Sequence, residues 1–264
     1  MSSFRQNQLL ASDEPPAFER FELGHRLPVV VACDHASRRI PRALDGLGLP
    51  EAATQRHIAW DIGAAEVARE LAQRLEVTAV LACYSRLVID CNRHIDDPTS
   101  IVSESDGQVV PGNASLTPAA RELRARACFW PYHEALEAAL QALCNGPRVP
   151  ALLAIHSFTP SMNDKPRPWH CGVLWDQDPR IAVPLIAALR AEAGLAVGDN
   201  EPYSGRHPAD YTIDQHAENR GWPHVCVEIR QDLIAAAAGA SGWADRLARM
   251  LKPILEDQGL YRQR

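Results

Sequence analysis

Residues 28–41 read PVVVACDHASRRIP, an apolar run that ends in a polar turn with a histidine, His35. A second segment, ALLAIHSFTP at residues 151–160, repeats the pattern with His156. An apolar run of this length that ends in polar residues indicates a buried parallel strand, and open α/β sheets bind their ligands at the carboxyl ends of such strands. The two segments therefore predict a parallel sheet that carries two imidazoles at one edge.

The rest of the chain alternates apolar runs with helical patterns. The expected strands are VTAVLAC and RLVIDCN (77–83 and 86–92, as two neighbours or one bent strand), HCGVLWD (170–176) and HVCVEIRQDL (224–233). The expected helices span 64–75, 117–143 with a kink at Pro131 as one option, 178–193 and 241–256. Alternation of this kind favours a mostly parallel sheet covered on both faces. We predict one α/β domain over residues 1–264, with three α/β/α layers, a mostly parallel mixed sheet and an N-terminal lead over residues 1–27.

The composition is that of an ordinary globular protein and excludes several partners. Of the 264 residues, 46% are hydrophobic and 23% are charged, and the formal net charge is −6. Binding to nucleic acid needs clustered basic residues, whereas here scattered arginines accompany only Lys165 and Lys252. The chain has no signal-peptide pattern and no apolar run of about 18 residues, and its seven cysteines form no CxxC pair. We expect a cytoplasmic protein without membrane contact, as a monomer or small homo-oligomer.

Four residues form a candidate hydrolytic site. Asp61 opens a strongly helical stretch, and Glu228 lies inside the apolar run HVCVEIRQDL, where a carboxylate is costly unless it is paired, metal-bound or catalytic. Together with His35 and His156 they supply two imidazoles, a carboxylate ligand and a second carboxylate for proton transfer, as in zinc hydrolases. Each residue also has a structural interpretation: His35 as a turn cap, Asp61 as a helix N-terminal residue, His156 as a core histidine, and Glu228 as an ion-pair partner of Arg230 or of another arginine.

Several blocks of sequence resemble one known family. The segments CDHASRRIP, WDIGAAEVA, YSRLVIDCNR, AIHSFTP, NEPYSGR and VCVEIRQDL occur in the order found in N-formylglutamate amidohydrolases, from about residue 29 to about residue 235. The resemblance implies a phosphorylase/hydrolase-like fold related to zinc carboxypeptidases. It implies one Zn²⁺ ion on His35, Asp61 and His156, with Glu228 as general base. Members of the histidine-degradation branch carry a PHSG-like block where this chain has CDHAS, so the sequence is similar to a divergent branch whose substrate is open.

The same resemblance suggests residues for substrate binding. In the related carboxypeptidases an adjacent Asn-Arg pair binds the substrate carboxylate and a separate arginine stabilises the oxyanion, which implies Asn92 and Arg93 for the first role and Arg86 for the second. The alternative is that these arginines pair with nearby acidic residues, namely Asp90, Asp96 and Asp97. Family members also resemble this chain around Tyr211 and His216, which are therefore candidate substrate contacts. A surface histidine is the alternative for His216.

The predicted function is a zinc-dependent amidohydrolase that cleaves the amide of a small N-formyl or N-acyl amino acid such as N-formylglutamate. Metal-activated water would attack the amide, with Glu228 transferring protons and Arg86 facing the oxyanion. The expected partner is a small amide substrate that bears a carboxylate. One alternative is a zinc peptidase or amidase acting on another amide. The other is a non-catalytic carboxylate-binding protein on the same fold, which the buried Glu228 disfavours.

Overall fold

A seven-stranded sheet organises the part of the chain that the structure, a computed structural model, describes: residues 8–24, 26–206 and 210–264. The strands in chain order are β1 (Phe18–Glu22), β2 (Val29–Cys33), β3 (Thr78–Ala82), β4 (Glu104–Ser105), β5 (Gln108–Val109), β6 (Ala151–Phe158), β7 (Ser161–Met162), β8 (Lys165–Pro166), β9 (Cys171–Leu174), β10 (Val197–Asp199) and β11 (His224–Arg230). The sheet order is β1-β3-β2-β6-β11-β9-β10, and β4–β5 and β7–β8 are separate hairpins. Only the β1–β3 and β9–β11 pairs of this sheet are antiparallel. The predicted mostly parallel mixed sheet is confirmed.

Helices cover both faces of the sheet. They are α1 (Glu51–Thr54), α2 (Ala64–Leu75), α3 (Pro118–Arg124), α4 (Trp130–Gln141), α5 (Pro179–Arg190), α6 (Tyr211–His216) and α7 (Ala237–Leu255). The buried residues of α2, α5 and α7 share one hydrophobic core with the sheet, and those of α4 share a second core with its other face. The predicted three-layer α/β/α arrangement is confirmed, because α2, α5 and α7 bury their apolar faces in the core on one side of the sheet and α4 buries its apolar face in the core on the other.

The start of α2 sets the position of Asp61. The helix begins at Ala64, not at Asp61, and is preceded by Gly63 in the left-handed conformation with φ 83°. A Cβ atom on Gly63 would lie 2.2 Å from the carbonyl oxygen of Ile234, so only glycine fits this turn. The backbone N–H of Asp61 donates to the carbonyl of His35 at 3.0 Å. The turn therefore brings Asp61 to the carboxyl end of β2.

The segment RLVIDCN at 86–92 was predicted to be a strand, and this prediction is wrong. The residues form a buried loop in which the N–H of Asp90 donates to the carbonyl of Ser100 at 2.7 Å and that of Val88 to Ser85 at 2.9 Å. Leu87 and Val88 are fully buried in the α4-side core. The apolar run indicates that the segment is buried. A buried segment need not be a strand when local turns provide hydrogen bonds for its backbone N–H and C=O groups.

Other boundaries differ from the expectations more modestly. The N-terminal lead contains a strand, β1, which pairs with β3 at the edge of the sheet. Thr117 caps α3 through a hydrogen bond from the N–H of Ala120 to its hydroxyl at 3.2 Å. A π-helical turn at Ala125–Phe129 joins α3 to α4, which begins at Trp130, so Pro131 lies in the first turn of α4, where its missing N–H is tolerated.

Two global expectations can be compared with the structure. None of the helices in the described residues is long and apolar enough to cross a membrane.

All seven cysteines are free, and Cys144 is exposed while the other six are buried. The cysteines therefore serve mainly as small apolar core residues.

Candidate metal centre and active site

Two histidines and an aspartate converge at the carboxyl edge of the sheet. His35 follows β2, His156 lies within β6 and Asp61 lies in the turn before α2. The Oδ2 atom of Asp61 is 2.9 Å from Nδ1 of His156 and 3.3 Å from Nδ1 of His35. One ligand atom from each residue lies within 4.8 Å of the others, and all three side chains are buried. This set of nitrogen and oxygen donors can hold a metal ion.

Two further carboxylates hold the outer nitrogens of the histidines. Nε2 of His35 lies 2.7 Å from Oδ1 of Asp90. Nε2 of His156 lies 3.0 Å from Oδ2 of Asp34, at an angle that is poor for a hydrogen bond. A carboxylate behind a ligating histidine fixes the ring and increases its basicity, which is the usual environment of a metal-bound imidazole. The arrangement fits a metal site.

Asp34 is itself held by two hydroxyl groups. The hydroxyl of Tyr132, from α4, donates to Oδ1 of Asp34 at 2.7 Å, and that of Thr212, from α6, donates at 2.6 Å. Sequence reasoning missed Asp34, and it considered Asp90 only as a partner of the arginines. The available signal was position, because Asp34 directly precedes His35 and Asp90 ends the apolar run beside Asn92.

The electrostatics of the three residues fit a cation at their centre. Burial opposes ionisation of Asp61, but His35 and His156 outweigh it and hold the pKa of Asp61 well below its usual value. Burial and Arg86 act to lower the pKa of His35, but Asp90 and Asp61 raise it above its usual value. The carboxylates of Asp34, Asp61 and Asp90 thus surround the two imidazoles. When no cation is bound, protons on the imidazoles compensate the negative charge of these carboxylates.

Glu228 is a carboxyl group beside the triad without an ion-pair partner in the part of the chain that the structure describes. It lies on β11 directly opposite His156 on β6, and it is buried. Its Oε2 atom has no hydrogen-bond partner among the described residues. Burial, reinforced by Asp61, raises the pKa of Glu228 to about 7 despite the attraction of His156. The predicted alternative, an ion pair with Arg230, does not occur, because Arg230 pairs with Asp232 at 2.8 Å.

The triad and Glu228 open into a cavity of about 470 Å³. The other residues that line it are Arg86, Asn92, Arg93, Asp97, Ser157, Tyr203, Ser204 and Asp210. We call it the active-site cavity. It therefore contains seven of the predicted site residues, namely His35, Asp61, Arg86, Asn92, Arg93, His156 and Glu228.

The arginines of the active-site cavity are paired to different degrees. Arg86 donates to Oδ2 of Asp90 at 3.0 Å and to Oδ1 of Asp61 at 3.3 Å, so the pairing with Asp90 considered from the sequence does occur. Arg93 donates through a single nitrogen, Nη1, to Asp210 at 3.3 Å. The other nitrogens of Arg93 have no partner among the described residues, which leaves one edge of the guanidinium for a ligand.

Tyr211 and His216 do not line the active-site cavity. The ring of His216 stacks on His133 with the nitrogens 3.0 Å apart, and its other nitrogen is 3.1 Å from Glu137. Tyr211 packs against His133 with ring centroids 4.9 Å apart. Both side chains are held on α6 behind the cavity wall. The structure thus does not bring them to the position expected of direct substrate contacts.

The His–Asp–His triad and the neighbouring Glu228 lie at the carboxyl edge of the central sheet of a three-layer α/β/α fold. Metal-dependent hydrolases have sites of this arrangement. The profile of the N-formylglutamate amidohydrolase family matches residues 27–235. The chain therefore belongs to this family of amidohydrolases, as the resemblance of its sequence blocks predicted.

Solved structures share the fold of this chain. A gene product of Agrobacterium tumefaciens, Atu2144, is similar at 33% identity and a TM-score of 0.87, over 94% of this chain and 98% of that one. The N-formylglutamate amidohydrolase from Ralstonia eutropha JMP134 shares the fold at 20% identity and a TM-score of 0.71, over 92% of this chain and 98% of that one. A comparison with curated proteins finds no significant match.

Proposed function

We propose that the protein hydrolyses the amide of a small N-acylated amino acid, with one zinc ion held by His35, Asp61 and His156. The observation that carries the proposal is the unpaired, buried Glu228 directly opposite His156. A protein that only binds carboxylates gains nothing from such a group, because a buried carboxyl without a partner destabilises the fold. A hydrolase needs it to move protons.

The zinc ion, when bound, would lower the pKa of water and polarise the amide carbonyl. Glu228 would take the proton of the attacking water and deliver it to the leaving nitrogen. In the metal-free protein burial raises the pKa of Glu228 to about 7, and a bound zinc ion would lower it, so that the carboxylate could accept the proton. The C–N bond breaks, and a carboxylic acid and a free amino acid leave.

Two groups would recognise the substrate. The free edge of the Arg93 guanidinium would bind the carboxylate of the amino acid through two parallel hydrogen bonds. Asn92 would add its amide N–H groups, since its Oδ1 already accepts from the N–H of Thr212 at 3.0 Å. Arg86 would face the developing oxyanion, held in place by its ion pairs with Asp61 and Asp90.

The test combines metal analysis with hydrolysis of N-formylglutamate by the protein as purified. We expect stoichiometric zinc and release of formate from the wild type, and loss of both in His156→Ala. The matched control is His170→Ala, because His170 does not line the active-site cavity or belong to the triad, and its ring accepts one hydrogen bond within the described residues, from the N–H of Ala196 at 2.8 Å. Full zinc content in His156→Ala, or no hydrolysis of any N-acyl amino acid by the zinc-loaded wild type, would refute the proposal.

A further inference from the structure

Thr212 lies in the first turn of α6 and makes hydrogen bonds to residues on two sides of the active site. Its hydroxyl donates to Oδ1 of Asp34 at 2.6 Å, and its backbone N–H donates to Oδ1 of Asn92 at 3.0 Å. The residue is fully buried, with 0% exposure. A single residue of α6 therefore contacts both the carboxylate behind His156 and a residue that lines the active-site cavity.

The hydroxyl of Thr212 helps to orient the carboxylate of Asp34. Oδ1 of Asp34 also accepts a hydrogen bond from the hydroxyl of Tyr132, at 2.7 Å. Because both hydroxyls bind Oδ1, the other oxygen, Oδ2, is directed at Nε2 of His156, 3.0 Å away. Oδ2 accepts no hydrogen bond of good geometry within the described residues, so it does not fix the carboxylate by itself. The two hydroxyl groups therefore set the rotation of the carboxylate that faces His156.

The backbone N–H of Thr212 orients the side-chain amide of Asn92. A backbone N–H can only donate, so the atom of Asn92 that faces it is the oxygen, and the NH₂ group faces away from Thr212. The N–H of Asn92 donates in turn to Oδ1 of Asp90 at 2.8 Å, and the same oxygen lies 2.7 Å from Nε2 of His35. Contacts from Thr212 thus reach the outer nitrogens of both histidines of the triad along two separate routes.

The end of α6 is held against α4 by a pair of histidines. His216 follows Thr212 by four residues, so the two side chains lie on the same face of α6. The ring of His216 stacks on His133 of α4, with the nitrogens 3.0 Å apart. His133 directly follows Tyr132 in the chain. The histidine pair therefore fixes the two helices close to the points from which they supply the two hydroxyl groups.

We propose that Thr212 is a positioning residue, whose hydroxyl group holds Asp34 in the orientation that supports His156 as a metal ligand. The inference rests on the metal site of the proposed function. A carboxylate behind a ligating histidine fixes the ring and increases its basicity, which strengthens metal binding. Replacing the hydroxyl should therefore weaken zinc binding. The N–H of Thr212 remains in a valine variant and continues to hold Asn92, so KM at saturating zinc should not change.

The test measures zinc affinity by chelator competition in Thr212→Val, Thr212→Ser and Thr78→Val. Valine resembles threonine in shape but lacks the hydroxyl, and should weaken zinc binding by about 10-fold. Serine keeps the hydroxyl and should keep the wild-type affinity. Thr78→Val is the matched control, because Thr78 is also buried but lies at the start of β3, at the amino edge of the sheet. Wild-type affinity in Thr212→Val, or an equal loss in Thr212→Ser, would overturn the inference.

Tyr132 provides an independent variant on another helix. Tyr132→Phe removes the other hydroxyl from Asp34 and should also weaken zinc binding by about 10-fold. The double variant Thr212→Val/Tyr132→Phe leaves Oδ1 without either donor and should weaken binding by about 100-fold, the upper end of the range for losing the carboxylate itself. A folded double variant with the zinc affinity of the wild type would show that the hydroxyl groups do not position Asp34.

Steady-state kinetics with N-formylglutamate at saturating zinc distinguish positioning of Asp34 from a general displacement of α6. Asn92 contacts the N–H of Thr212, and Arg93 pairs with Asp210, which directly precedes α6. A displaced helix would therefore disturb both substrate-binding residues and raise KM. We expect Thr212→Val to keep the wild-type KM. A raised KM together with the loss of zinc would mean that the hydroxyl supports the helix and not Asp34, and the inference would fail.

The outcomes for this inference and for the proposed function can be told apart. If the wild type binds zinc but hydrolyses no N-acyl amino acid, and Thr212→Val weakens zinc binding while Thr212→Ser does not, the hydrolytic proposal fails and the positioning role stands. If the wild type hydrolyses N-formylglutamate and Thr212→Val binds zinc as tightly, only the positioning role fails.

NMR of the metal-free protein with isotope-labelled histidine gives a measurement that needs neither zinc nor substrate. The ring resonances of His156 should shift in Thr212→Val, and they should shift more than those of His35, whose outer nitrogen contacts Asp90 and not Asp34. The resonances are assigned from the spectra of His156→Gln and His35→Gln. Unshifted resonances of His156 in Thr212→Val would refute the positioning role, whatever the zinc content of the wild type.

Discussion

Replacing Glu228 with glutamine should inactivate the enzyme and, in alkaline solution, stabilise its metal-free form. Folding raises the pKa of this carboxyl from 4.5 to about 7. A raised pKa means that the native state holds the proton more tightly than the unfolded state does. The stability from this residue is therefore complete below pH 4.5 and is lost as the pH rises through about 7.

The magnitude follows from the difference in pKa. At about pH 8 the ionised Glu228 should cost the wild type about 3 kcal/mol of unfolding free energy, and at about pH 5 it should cost about 1 kcal/mol. Glutamine carries no charge and avoids this cost. The difference in unfolding free energy, Glu228→Gln minus wild type, should thus increase by about 2 kcal/mol when the pH is raised from about 5 to about 8.

Urea unfolding of both proteins after removal of metal by a chelator measures this difference. The matched control is Glu192→Gln at the end of α5, because Arg246 lowers the pKa of Glu192 and the same substitution should there bring no gain in alkaline solution. If the stability difference between Glu228→Gln and the wild type does not change with pH, the carboxyl ionises normally and the argument for a buried, unpaired base is wrong. In the zinc-loaded protein, hydrolysis should fall by a factor of about 10² to 10⁴.

Further predictions concern the residues around the metal and the substrate. Asp90→Asn and Asp34→Asn should each weaken zinc binding by about 10- to 100-fold, measured by competition with a chelator, and unchanged affinity would remove their role behind the histidines. Arg93→Lys should impair hydrolysis of N-acyl amino acids almost as severely as Arg93→Ala, because an ammonium group cannot make two parallel hydrogen bonds to a carboxylate. The wild type should discriminate against the uncharged amide analogue of its substrate and Arg93→Ala should not; equal turnover of the two compounds by the wild type would show that the carboxylate is not recognised. His216→Gln should lower the melting temperature and leave KM nearly unchanged, and a large rise in KM with unchanged stability would restore His216 as a substrate contact.

Local sequence patterns determined the architecture and the candidate residues. The run VVVAC before His35 and the run ALLAI before His156 each specify a strand buried on both faces, since every position in them is apolar. Thr117 and Asp178 mark the starts of α3 and α5, because a capping side chain acts within one turn of the chain. Parallel strands present their carboxyl ends at one edge, which is why the histidines could be expected to meet there.

Only the tertiary structure decided how the charged groups are paired. Arg86 contacts both Asp61 and Asp90, the Oε2 atom of Glu228 has no hydrogen-bond partner among the described residues, and His216 lies behind the cavity wall, although each of these side chains had a plausible alternative in the sequence. An apolar run indicates only that a segment is buried. The pattern at 86–92 is therefore compatible with a buried loop as well as with a strand. The partner of a buried charge comes from segments far away in the chain, such as Asp34 for His156. Its identity therefore depends on how the elements pack, which no local pattern contains.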